Sequence, residues 1–96
     1  MTRRVRLRIR GGLQGVNFRW YASQEARRLG VAGWIRNSGG RDVEAVAEGD
    51  DAAIEAFVAW CRHGPPAARV AEVEFVELPG RARYRDFAIV REALGD

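Results

Sequence analysis

Residues 4–10 read Arg-Val-Arg-Leu-Arg-Ile-Arg, a strict alternation of charged and apolar side chains. Only a β-strand repeats its side-chain direction every two residues. The segment is therefore expected to run extended, with Val5, Leu7 and Ile9 on one face and Arg4, Arg6, Arg8 and Arg10 on the other. A strand of this kind needs a second layer over its apolar face. The arginine face is expected to meet water.

The rest of the chain supplies that layer. Phe18 to Leu29 reads as a helix, with Ala22, Ala26 and Leu29 on one face and Gly30 at the stop. Val31 to Asn37 and Val43 to Glu48 read as two strands joined by the Ser38–Asp42 turn, a hairpin. Gly49-Asp50-Asp51 opens a second helix, where either aspartate can cap the free N–H groups. Its buried stripe is Ile54, Phe57, Val58 and Cys61, and Gly64-Pro65-Pro66 ends it. Val70 to Glu77 forms a fourth strand, with Ala71, Val73 and Phe75 on one face and Glu72 and Glu74 on the other. A short last strand around Asp86 to Arg91 carries Phe87 and Ile89. This order predicts an α+β, ferredoxin-like βαββαβ sandwich, with two helices on one face of a mostly antiparallel sheet and a short fifth strand. The fold alone assigns no activity.

With 96 residues, 47% of them hydrophobic and 30% charged, the expectation is a single domain spanning 1–96. No apolar run approaches the ~20 residues of a membrane helix. No apolar signal core follows the basic start. Cys61 is the single cysteine and has no partner for an internal disulfide, which suits a reducing cytoplasm. All sixteen basic residues are arginine and the net charge is +3. The arginines are scattered, so charge alone argues only weakly for nucleic acid.

Between the first strand and the first helix lies Gly11-Gly12-Leu13-Gln14-Gly15-Val16-Asn17-Phe18-Arg19-Trp20. A helix N-terminus offers free N–H groups and the positive end of the helix dipole. Glycine lets successive N–H groups converge on an anion. Arg19 can add a planar, bidentate clamp on two phosphate oxygens. By itself the loop is better read as a plain turn followed by a solvated arginine. It lacks the Lys-Ser/Thr of a Walker loop and the spacing of a dinucleotide fingerprint. Asn37, 18 residues beyond Arg19, ends the second strand, which returns toward this loop. Its carboxamide can donate and accept, and so can hold a water beside a bound phosphate. Asn is also a common turn-former before Ser38-Gly39-Gly40.

The segments "GGLQGVNFR", "GWIRN" and "VEAVAEG", with "GPPAARV" after the second helix and "F-x-I" in the last strand, resemble the acylphosphatase family along nearly the whole chain. The resemblance implies hydrolysis of the carboxyl–phosphate bond of acyl phosphates, with inorganic phosphate as product and no metal or cofactor. It implies that Arg19 binds phosphate and that Asn37 positions the attacking water. It assigns the backbone N–H groups of Gln14, Gly15, Val16, Asn17 and Phe18 to the phosphate cradle. A cytoplasmic monomer is expected. Asn17 departs from the glycine that many members carry, Gly12 from a larger residue and Arg41 from a turn glycine. The C-terminal "REALGD" lacks the usual aromatic ending.

Other candidates have simpler readings. His63 is expected in the last turn of the second helix, where a cation suits the dipole. Cys61 lies on the buried stripe as an inert thiol. Ser23 and Ser38 have no histidine base. Glu72, Glu74 and Glu77 read as a solvated strand face. Trp20, Trp34 and Trp60 read as core or half-buried surface, and Arg36 points away from Asn37's face. Two further functions compete. The arginine face of the first strand could bind RNA, although the third strand lacks the stacking aromatics such a sheet presents. The loop could also serve as a non-catalytic anion sensor.

Overall fold

The computed structural model describes residues 2–96. Its elements are β1 (Thr2–Gly12), α1 (Phe18–Leu29), β2 (Ala32–Ser38), β3 (Asp42–Asp50), α2 (Asp51–Cys61), β4 (Arg69–Glu77) and β5 (Phe87–Ile89). The five strands lie in the order β4-β1-β3-β2-β5. All neighbours are antiparallel except β2 and β5, which run parallel. The ferredoxin-like α+β reading is correct.

Both helices cover the face that carries Val5, Leu7 and Ile9, all fully buried. Ile54, Phe57, Val58 and Cys61 of α2 are buried against them. Each such apolar side chain contributes about 1.5–3 kcal/mol relative to exposure. Burial pushes the Cys61 thiol well above its ordinary pKa, so it stays neutral. Gly33 is fixed by close approach: with φ at 139°, a Cβ there would lie 1.8 Å from the Val46 carbonyl oxygen.

The other sheet face departs from the sequence expectation. Arg4 is buried rather than wet, and its Nε donates to Glu48 at 2.7 Å. Glu48 also accepts from the backbone N–H of Arg83 at 2.9 Å and of Tyr84 at 3.0 Å. The pair thereby anchors the segment between β4 and β5 across the sheet. Trp34, on the same face, is buried and donates to the Gly95 carbonyl at 3.0 Å. Arg6 pairs with Asp96 and Arg8 with Asp42, while Arg10 reaches Asp42, Glu72 and Glu74. The basic stripe that suggested RNA is thus matched by carboxylates on adjacent strands and the C-terminal residue. Nearby Glu74, above all, raises the Arg10 pKa.

Two local expectations also change, the cap of α2 and the place of His63. Neither Asp50 nor Asp51 caps α2 through its side chain; Asp51 binds Arg3 instead, at 3.0 Å. Phe75 shares the apolar face but stays 36% exposed, because β4 is an edge strand that α2 does not fully cover. His63 falls beyond the end of α2, its Nδ1 2.9 Å from the Gly64 carbonyl.

Candidate active site

The β1–α1 loop reaches α1 through two left-handed residues, Gly15 (φ 74°) and Asn17 (φ 57°), on either side of Val16. Alternation of this kind turns successive N–H groups toward one side. Gly15 adopts such a φ freely, and among side-chain-bearing residues Asn tolerates it best. Asn17 is the helix N-cap but makes no side-chain cap bond. Its carbonyl accepts the first helical bond, from the Tyr21 N–H at 3.0 Å. Among the described residues, no protein acceptor meets the backbone N–H groups of Gln14, Gly15, Val16, Asn17 or Phe18. These donors lie at the positive end of α1, where free N–H groups can hold an anion.

Phe18 holds the loop in place. Its ring is buried and lies 5.5 Å from the Trp60 ring of α2. Arg19 is the second residue of α1 and Trp20 the third. Asn37 sits near the end of β2, opposite Val43, on the helix-covered side of the sheet. Arg36 takes the opposite face and donates to Glu44 at 2.9 Å, as alternation along the strand requires.

These elements enclose a cleft of about 190 Å³ lined by Leu13, Gln14, Gly15, Asn17, Phe18, Arg19, Trp20, Asn37 and Ile89. Arg19 and Asn37 therefore share one cavity despite 18 residues of separation. Both are half-buried, and neither side chain has an ion-pair or hydrogen-bond partner among the described residues. Val16 does not line the cleft; its side chain packs against the core. Leu13, Trp20 and Ile89 were not read as site residues from sequence. Trp20 is 53% exposed, rather than core, and the one available signal was its position next to Arg19. Among the described residues, no group of three His, Cys, Asp or Glu side chains could hold a metal ion. Ser23 is buried and its Oγ donates to the Trp20 carbonyl at 2.7 Å, so it is no nucleophile.

The left-handed Asn17 gives a direct check on the loop. Asn17→Val is expected to cost about 1–2 kcal/mol, the penalty for a side-chain-bearing residue in this conformation. It should also weaken inhibition by inorganic phosphate, whereas Asn17→Gly keeps both stability and inhibition. Urea unfolding and a phosphate inhibition series measure the two effects.

Residues 5–89 match the acylphosphatase family. An acylphosphatase of Thermococcus kodakarensis is 56% identical over 71 residues, covering 74% of this chain and 78% of the relative. One of Geobacter sulfurreducens is 44% identical over 89 residues, covering 93% and 98%. Among solved structures, an acylphosphatase from Coxiella burnetii superposes with a TM-score of 0.88 at 32% identity, covering 93% of each chain. A cleft at a helix N-terminus, lined by an unpaired arginine and an asparagine, thus occurs in a chain that belongs to the acylphosphatase family.

Proposed function

We propose that this chain hydrolyses acyl phosphates to a carboxylate and inorganic phosphate, with Arg19 and the loop amides binding the phosphoryl group and Asn37 orienting water. The observation that carries this reading is the shared cleft, where Arg19, Asn37 and the loop converge with no internal partner for either side chain. Phosphoryl transfer demands positioning and stabilisation of charge on the equatorial oxygens. Converging N–H groups and a guanidinium supply both without reorganising during the reaction. Asn37 holds the water in line with the bond to be broken. The water oxygen attacks phosphorus as the phosphorus–acyl oxygen bond breaks. The carboxylate leaves with that electron pair, and a phosphoryl oxygen takes the water's proton. This route uses no side-chain base and no metal ion.

Hydrolysis of benzoyl phosphate in the presence of EDTA tests the assignment. Asn37→Ala is expected to lower kcat about 10²-fold through lost alignment, while inorganic phosphate inhibits as well as before. Equal loss of phosphate binding and turnover would instead make Asn37 part of the cradle. Phosphate binding by the wild type without turnover would reassign the cleft as a non-catalytic anion sensor. Residues 1–96 are taken to work as one domain. We place the protein in the cytoplasm, a reading supported by the single, buried and free Cys61, and take it to be a monomer, which size-exclusion chromatography checks. No helix is long and apolar enough to cross a membrane.

A further inference from the structure

We infer that Trp20 and Ile89 form an acyl-group subsite that favours acyl phosphates with an aryl or bulky apolar acyl group over acetyl phosphate. This inference rests on the cleft being the acyl-phosphate site and adds the part of the substrate that the phosphate cradle cannot read. Trp20 is 53% exposed and Ile89 43% exposed, two of the large apolar side chains the fold leaves open to water. Both line the same cleft as Arg19 and Asn37, although they come from α1 and β5. β5 is an edge strand, which leaves Ile89 open on the cleft side. β5 pairs with β2 so that Ile89 sits beside Ile35, but Ile35 is fully buried while Ile89 remains open at the cleft. The Trp20 ring is braced edge-on by Tyr21, with centroids 5.0 Å apart. A braced, half-exposed indole is a rigid platform on which an aromatic or branched group can pack.

The cleft therefore combines polar groups that suit a phosphoryl group with exposed apolar side chains that suit a hydrocarbon. Ligand sites combine these features in the same way, an apolar wall with a few polar groups that fix orientation. At about 190 Å³ the cleft is smaller than the ~300–1,000 Å³ pockets of drug-sized ligands. A small acyl phosphate fits a cleft of this size.

The test compares kcat/KM for benzoyl and acetyl phosphate in the wild type, Trp20→Ala, Trp20→Phe and Ile89→Ala. The wild type should prefer benzoyl phosphate. The benzoyl-to-acetyl ratio should fall about tenfold in Trp20→Ala and in Ile89→Ala, the range for removing apolar contact from a pocket. Trp20→Phe should keep most of the preference. Inhibition by inorganic phosphate, which has no acyl group, reports on the cradle and separates loss of the subsite from damage to Arg19. Unchanged ratios in both alanine variants, or a uniform loss on both substrates, would overturn the subsite while leaving the hydrolase assignment standing. A wild type that hydrolyses neither substrate would overturn the hydrolase assignment first and the subsite with it.

Discussion

Arg19→Ala is expected to lower kcat/KM for benzoyl phosphate by about 10³-fold or more, the effect of removing a transition-state arginine in phosphoryl transfer. On the proposed mechanism the same guanidinium also holds the product, so inhibition by inorganic phosphate should weaken with it. Arg19 lines the cleft and has no ion-pair partner among the described residues, so its charge is free to meet a ligand rather than shared with a carboxylate. Arg19→Lys should not restore the rate, since an ammonium cannot reproduce the planar, two-toothed clamp. The buried core does not depend on the Arg19 head group, so urea unfolding should place Arg19→Ala within about 0.5 kcal/mol of the wild type. Activity within twofold of the wild type in Arg19→Ala would sink the proposed mechanism.

The largest expected effect on stability lies on the opposite side of the sheet. Glu48→Ala should cost about 3–5 kcal/mol, the penalty for leaving one member of a buried ion pair alone. The side chains of Arg4 and Glu48 are 2% and 1% exposed. Arg4 already has one buried nitrogen, Nη2, without a partner. Without Glu48 it retains only the Pro79 carbonyl. The N–H groups of Arg83 and Tyr84 lose their acceptor at the same time. For a domain of this length the melting temperature should fall by more than about 10 °C. The double variant Arg4→Met, Glu48→Leu should recover a good part of the loss, because an apolar pair of similar volume avoids the stranded charge. A double variant as unstable as Glu48→Ala would show that the backbone bonds to Arg83 and Tyr84, rather than the ion pair, carry the stability.

These two residues were unequally legible in the sequence. Arg19 became a candidate only when the loop was set beside Asn37 and the family resemblance, since glycines, a helix start and an arginine in one short segment also fit a plain turn. Its pairing with Asn37 needed the element order, which local patterns also supply. Arg4 could not be read correctly. It sits in a faultless alternation and looks like Arg6, Arg8 and Arg10, yet it alone is buried. What covers it is the stretch from Leu78 to Asp86, which has little periodicity and so gives no sign of where it runs. The same holds for Trp34, buried through a bond to Gly95, 61 residues away.

Ile89 illustrates the limit from the other direction. Its sequence context marks it as a strand residue, and it is one. Whether such a residue ends in the core or at a cleft depends on which strand lies beside it and how far the helix above extends. The sequence by itself determined the strands, helices and their order, because side-chain periodicity is a local property fixed by backbone geometry. It also placed backbone donors and Arg19 together in one loop, because they are neighbours along the chain. Only the tertiary structure decided which arginine is buried, which face the chain's end covers and which apolar groups border the cleft. Those outcomes follow from contacts between segments far apart in sequence, where no local pattern records the partner.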